Sequence, residues 1–230
     1  VIAFYGIAAL LYLFAPISVL AAFSFNQPIG RQNSTWNAFS LKAWTNICKD
    51  QTICSAVEVS LQIAVIATAV ATVLGTLIAF ALVRHRFRGR SATNLLIFLP
   101  MATPEVVLGA SLLALFLIMG MPLGPITIII AHIMFCISFV VVTVKARLQG
   151  MDPRLEEAAQ DLYADEAATF RFVTLPLVAP GIAAAALLSF SLSFDDYIIT
   201  NFNSGTTVTF PMYVWGAAQR GIPPQVNVIG

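Results

Sequence analysis

Five apolar runs constrain what this chain can fold into. Residues 1–25, 57–83, 94–118, 125–148 and 177–202 each approach or exceed the roughly 20 apolar residues that a helix rising about 1.5 Å per residue needs to cross a hydrocarbon core. Lipid offers no partner to backbone N–H and C=O groups, so such runs are helices and not strands. Composition agrees, with 59% hydrophobic and 10% charged residues. A soluble domain carries about 25% charged residues to cover its water-facing surface. The expected fold class is therefore an all-α integral membrane protein, one transmembrane domain over residues 1–230. Val1 stands inside an apolar run and Val226 begins another, so the chain reads as a trimmed piece of a longer one, with a truncated sixth helix starting at 226. A signal peptide fits the start poorly, because the run is too long and lacks a small-residue cleavage pattern.

Lys and Arg set the expected orientation. Arg84, Arg86, Arg88 and Arg90 follow the second run; Lys145, Arg147, Arg154 and Arg171 follow the fourth. These are eight of the twelve basic residues. Two crossings separate the two basic loops, so they share a side, the cytoplasmic one, and the N-terminus is cytoplasmic. Arg31, Lys42, Lys49 and Arg220 fall in the outer segments, 26–56 and 203–225. In the first of these, "LKAWTNICKD" predicts a short surface helix with Trp36 and Trp44 at the interface; in the second, "FPMYVWGAAQRGIPP" predicts another. Cys48 and Cys54, six apart in the outer loop, leave open both a disulfide and two free thiols. Cys136 lies in an apolar run and reads as a packing residue.

The most polar stretch lies in the inner loop 149–175. Asp152 before Pro153 is a helix start, an N-cap acid with proline at the first helical position. Leu155, Ala158, Ala159 and Leu162 then share one face, ringed by Glu156, Glu157, Gln160 and Asp161. Asp165 caps a second short helix, 166–173, which Pro176 ends before the next span. Two short helices meeting at an angle project from the membrane. Periodicity alone leaves a solvated loop without a docking partner as an equal reading.

The wording of the loop goes further. "EEAAQDL" with "LPLVAPGI" resembles the EAA motif of permease subunits of bacterial ABC importers, in which this loop couples to a groove of the ATP-hydrolysing subunit. The resemblance implies a type I ABC importer permease fold with six transmembrane helices, and ATPase-coupling roles for Glu156, Glu157, Ala158, Ala159, Asp161, Leu162, Tyr163 and Ala164. It departs at Tyr163, where the family pattern has glycine. Glycine allows a bend with positive φ, so the shape of the turn between the two short helices is open. "LPMATPEVVLGASLL", "LSFSLSFDDYIITNFNSG" and "TFPMYVWGAAQRGIPPQVN" resemble the spermidine/putrescine branch of these permeases. The implied partners are ABC ATPase subunits, a second and different permease subunit, an extracytoplasmic substrate-binding protein and membrane lipid. The implied location is the bacterial cytoplasmic membrane.

Against a polyamine, the acids within the spans become pathway candidates. Glu105 stands about 16 Å along a continuous helix from Asn94, near the bilayer middle, with Pro100 and Pro104 loosening the helix before it. An intramembrane carboxylate costs on the order of 2.5–3.5 kcal/mol, so it faces a cavity or a partner. Asp195 and Asp196 lie in the outer third of the fifth span, about 100° apart on a helix, with Phe194 and Tyr197 beside them to pack on alkyl segments. Interfacial snorkelling, a helix-end contact or a pair with an arginine of the companion subunit is the alternative role for these acids. His132 reads as a hydrogen-bonded packing residue, and Glu58 sits at the outer end of the second span.

No G-x-x-x-x-G-K-[ST] occurs, so no cofactor is expected in this chain, and ATP and Mg belong to a partner ATPase. The chain has no metal-spaced Cys/His set and no constellation for covalent chemistry, and nucleic acid is not an expected partner. Within the importer class, another small solute is the alternative substrate; a stand-alone secondary transporter, and a membrane scaffold recruiting a partner through the inner loop, are the competing classes. Both are disfavoured by the EAA resemblance.

Overall fold

The computed structural model describes residues 2–30 and 32–229. Val1, Arg31 and Gly230, assigned above to the first span, the outer loop and the tail, lie outside them. Regular structure among the described residues is helical, with one isolated antiparallel bridge, Asn26–Phe39. In chain order come α1 (Ile2–Ser24), α2 (Lys42–Thr45), a 3₁₀ turn (Ile47–Lys49), α3 (Gln51–Arg84), α4 (Arg90–Ala102), α5 (Glu105–Ile118), α6 (Pro125–Gln149), α7 (Arg154–Asp161) and α8 (Glu166–Thr169). A π turn (Phe170–Thr174), α9 (Leu175–Asp195), α10 (Ile198–Asn203), α11 (Phe210–Arg220) and α12 (Pro224–Ile229) complete it. By length and apolar content, α1, α3, α6 and the continuous stretch Glu166–Asp195 can each cross a membrane, and α4 with α5 makes a fifth if counted as one span.

That pair corrects one expectation. Residues 94–118 are not one continuous helix: the chain bends by 109° between α4 and α5. The cause is local. Pro104 clashes with a helical residue before it, so Thr103 turns extended (φ −85°, ψ 133°) and closes α4 with its own N–H and hydroxyl on the Leu99 carbonyl, at 2.9 and 2.7 Å. Glu105 therefore opens α5 rather than sitting partway along a straight helix, and its depth cannot be counted by helical rise from Asn94.

The chain divides into two compact units. The first comprises residues 1–59 and 208–230. In it α1 packs on α12, while the apolar stretch of α1 stays outside the packed interior. The turn after α1 is locked by two buried asparagines: Asn26 Nδ2 donates to Asn33 Oδ1 and to the Thr35 carbonyl, each at 2.7 Å, and Asn33 Nδ2 donates to the Phe23 carbonyl at 2.7 Å. Trp36 packs edge-on against Phe23 and Trp44 stacks on Phe25. Cys48 and Cys54 form a disulfide with Cα atoms 5.4 Å apart.

The second unit, residues 60–207, is built around α6. Ala131, Phe135, Cys136, Val140, Val141, Val144 and Leu148 are buried, together with Ala71, Ala79 and Leu82 of α3 and Val178 and Ala185 of α9. Gly75 lets α3 reach α6, since a Cβ there would lie 2.7 Å from Val140 Cβ. Residues 177–202 are likewise interrupted: α9 ends at Asp195, Asp196 is extended at ψ 122°, and α10 begins at Ile198.

Candidate functional site

Side-chain and backbone hydrogen bonds pin both short helices of the polar loop 149–175. Asp152 Oδ1 accepts the Arg154 N–H at 3.0 Å and starts α7. The helix ends in a Schellman turn: Tyr163 N donates to the Gln160 carbonyl at 2.9 Å and Ala164 N to the Ala159 carbonyl at 3.1 Å. Such a turn needs a left-handed residue, and Tyr163 takes that place at φ +61°. The bend thus has the geometry that glycine allows, with a tyrosine in it. Asp165 Oδ1 then accepts the Ala168 N–H at 2.7 Å and caps α8.

The expected end of the second short helix at Pro176 does not occur. α8 passes through the π turn into α9 without a stop. Pro176 lacks an N–H and its ring crowds the preceding turn, and the wider π turn makes room for it. The second half of the loop is therefore continuous with a helix long and apolar enough to cross a membrane.

Glu156 stands apart within the loop. It does not face outward with the other acidic residues of α7. Its side chain is 13% exposed and its carboxylate accepts from the Arg84 guanidinium at the end of α3 and from the Thr174 hydroxyl. The Arg84 bonds, with the one from Thr174, hold the Glu156 carboxyl below the usual carboxylate range despite partial burial. Glu157, Ala158, Asp161, Leu162 and Tyr163 are exposed, and Ala159 and Ala164 are half-buried. One residue of the predicted coupling set is thus an internal strut, and five of the rest form the outward surface. The Arg84–Glu156 pair also brings the two basic loops to the same end of the second unit. A further strut comes from α6, where Arg147 Nε donates to the Leu177 carbonyl at 2.9 Å. Its side chain crosses α9 at Gly181, where a Cβ would meet Arg147 Cβ at 2.8 Å.

Within the spans the acids separate. Glu105 is exposed in the first turn of α5, where the positive end of the helix dipole favours a carboxylate. Asp195 is exposed at the end of α9. Asp196 is buried and its oxygens are engaged: Oδ2 accepts from the Thr200 N–H at 2.7 Å and the Thr200 hydroxyl at 2.9 Å, and Oδ1 from the Ile199 N–H at 3.3 Å. It also lies 3.3 Å from His132 Nε2, while His132 Nδ1 meets the Ser193 hydroxyl at 2.7 Å. Asp196 therefore starts α10 and ties it to α6. Phe194 stacks on Phe190, and Tyr197 is half-buried at the start of α10. α10 in turn packs on α5, with Gly109 against Ile199 and Phe202. Glu105 is one turn before Gly109, so the exposed acid of α5 shares a packed group of helices with the Asp195–Asp196 junction.

Sequence reasoning missed Arg84 and Thr174 as partners of Glu156, and Arg147 as a brace on α9. Arg84 reads as one of several anchoring arginines, and no local spacing ties it to a glutamate 72 positions later.

Known proteins resemble this chain throughout. The family model described as binding-protein-dependent transport system inner membrane component matches residues 71–217. The spermidine/putrescine transport system permease protein PotC of Haemophilus influenzae is 38% identical over 219 residues, covering 95% of this chain and 84% of that protein. The putrescine transport system permease protein PotI of Escherichia coli (strain K12) is 38% identical over 226 residues, covering 95% and 80%. Among solved structures, a bacterial ABC transporter involved in the import of the acidic polysaccharide alginate superposes with a TM-score of 0.66 at 18% identity, over 98% of this chain and 86% of that one. An amino acid ABC transporter with histidines gives 0.63 at 16% identity, over 83% and 90%. At those identities the likeness concerns the fold.

Proposed function

This chain belongs to the family of binding-protein-dependent transport system inner membrane components, and we propose that it is the membrane-spanning subunit of an ATP-driven importer of a polyamine, spermidine or putrescine. The observation that carries the substrate is 38% identity to PotC and PotI over 95% of the chain. The chain is a transport subunit and not an enzyme. ATP and Mg belong to partner ATPase subunits, a second permease chain of different sequence completes the pathway, and an extracytoplasmic binding protein delivers the substrate. The location is the bacterial cytoplasmic membrane, with the N-terminus and the two basic loops inside.

In this reading ATP binding closes the ATPase subunits, and the 152–175 loop carries that motion into the membrane. The loop can do so because it is stiff: Glu156 fastens α7 to α3 and to the π turn, and α8 runs without a stop into α9. A push on α7 then reaches α3 and α9 together. The two permeases rock between inward- and outward-facing states, accept the substrate outside and release it inside. Glu105 and Asp195 are the exposed acids available to a multiply charged cation, with Phe194 and Tyr197 beside its alkyl segments. Asp196 contributes by fixing α10.

The test is ATPase activity of the reconstituted complex with its binding protein, titrated with spermidine, putrescine and a neutral sugar. Stimulation by a polyamine alone is the expected result. Stimulation by the sugar, or by none of the three, removes the substrate assignment and leaves the family membership intact.

A further inference from the structure

The geometry points to Tyr163, with Leu162 beside it, as an anchor that fills an apolar pocket on the ATPase subunit of the same importer. The inference rests on the reading above that the loop docks on that subunit. Tyr163 is 98% exposed and Leu162 is 82% exposed, so two large apolar side chains stand in solvent at the apex of the most polar loop. Tyr163 is also the one non-glycine residue with positive φ among the described residues. A Cβ is disfavoured there, and a strained residue persists only where something compensates for it. The Schellman bonds hold the backbone there, but with so little of the ring covered the side chain itself gains no packing within this chain.

The backbone that presents the pair is well defined. The Schellman bonds from Tyr163 and Ala164 fix the turn, Asp165 caps the helix beyond, and Glu156 fastens the helix before. An anchor on a pre-formed turn loses little freedom on binding, and a tyrosine has few rotatable bonds to immobilise. Aromatic residues inserted into desolvated pockets dominate interface energetics. The rim is acidic: Glu157 and Asp161 precede the pair, and Asp165 and Glu166 follow it, all exposed. The occupied pocket is therefore apolar at its base and lined by Lys or Arg at its edge.

The experiment uses the permease assembled with the ATPase subunit of the same importer, and measures ATPase affinity for Tyr163→Gly, Tyr163→Phe and Ala158→Trp. Tyr163→Gly relieves the backbone and removes the ring, so a merely tolerated tyrosine predicts equal or tighter binding. The anchor predicts binding at least about tenfold weaker for Tyr163→Gly, with near-normal binding for Tyr163→Phe. Unchanged affinity in Tyr163→Gly overturns the anchor. If Ala158→Trp still disrupts binding in that case, the docking reading of the loop survives alone; if Ala158→Trp is also without effect, the docking reading fails as well.

Discussion

The Arg84 guanidinium at the end of α3 donates two hydrogen bonds to the Glu156 carboxylate on α7, and the Thr174 hydroxyl donates another to the same group. Three segments far apart in sequence thus meet on one side chain. Glu156→Gln keeps the size and loses the charge. The expected cost is about 1–2 kcal/mol, reduced from a fully buried pair because Arg84 is partly exposed. Thermal unfolding in detergent at pH 7 measures it. The pH dependence has a defined sign. A carboxyl whose pKa is lowered on folding stabilises above its unfolded value, about 4.3, and the contribution is lost as pH falls through the lower folded value. The native protein therefore loses this increment below about pH 4.3, and Glu156→Gln shows no such component.

Asp196 and Glu105 are separable by their failures. Asp196→Ala removes the acceptor for the first N–H groups of α10 and leaves His132 without its carboxylate, with an expected loss of about 2–4 kcal/mol in stability. Asp196→Asn keeps one acceptor oxygen and loses less. Unfolding midpoints of the purified complex check both.

Glu105→Gln and Asp195→Asn act on exposed groups, so unfolding midpoints stay close to native. If these acids face the polyamine, uptake into proteoliposomes falls by about tenfold, the effect of about 1.4 kcal/mol on a charged contact. Native uptake in both variants would remove them from the pathway.

The Cys48–Cys54 bridge encloses Asp50, whose carboxylate accepts the Thr52 N–H at 2.9 Å and the Tyr213 hydroxyl at 3.0 Å. The Thr52 backbone bond, with support from Tyr213, holds the Asp50 carboxyl below its ordinary value. Closing so short a loop is worth about 2 kcal/mol by chain entropy. Cys54→Ser should lower the unfolding midpoint correspondingly, and reductant should lower that of the native protein while leaving the variant unchanged.

Gly75→Ala tests the packing of the second unit. The added methyl would overlap Val140 on a helix that cannot easily retreat, at an expected cost of about 1–3 kcal/mol. Denaturation of the detergent-solubilised protein provides the measurement.

What the sequence determined by itself was local. Run length and the absence of charge fixed the spanning segments as helices, because a backbone in lipid must bond to itself. Asp152 and Asp165 announced helix starts, because a carboxylate beside unpaired N–H groups needs only its near neighbours. The wording of residues 156–182 carried the family. Tertiary structure decided the rest. Glu156 lies among outward-facing acids in sequence, and only the arrival of Arg84 and Thr174 turns it inward. Asp195 and Asp196 are adjacent and chemically identical, yet the break at Asp196 leaves one exposed and aims the other at His132. Pro104 was legible as a disruption, but that α5, after the 109° bend, comes to rest against α10 is a long-range contact that no local spacing shows. Periodicity encodes which side chains share a face, whereas the partner that a face meets depends on where distant segments come to rest.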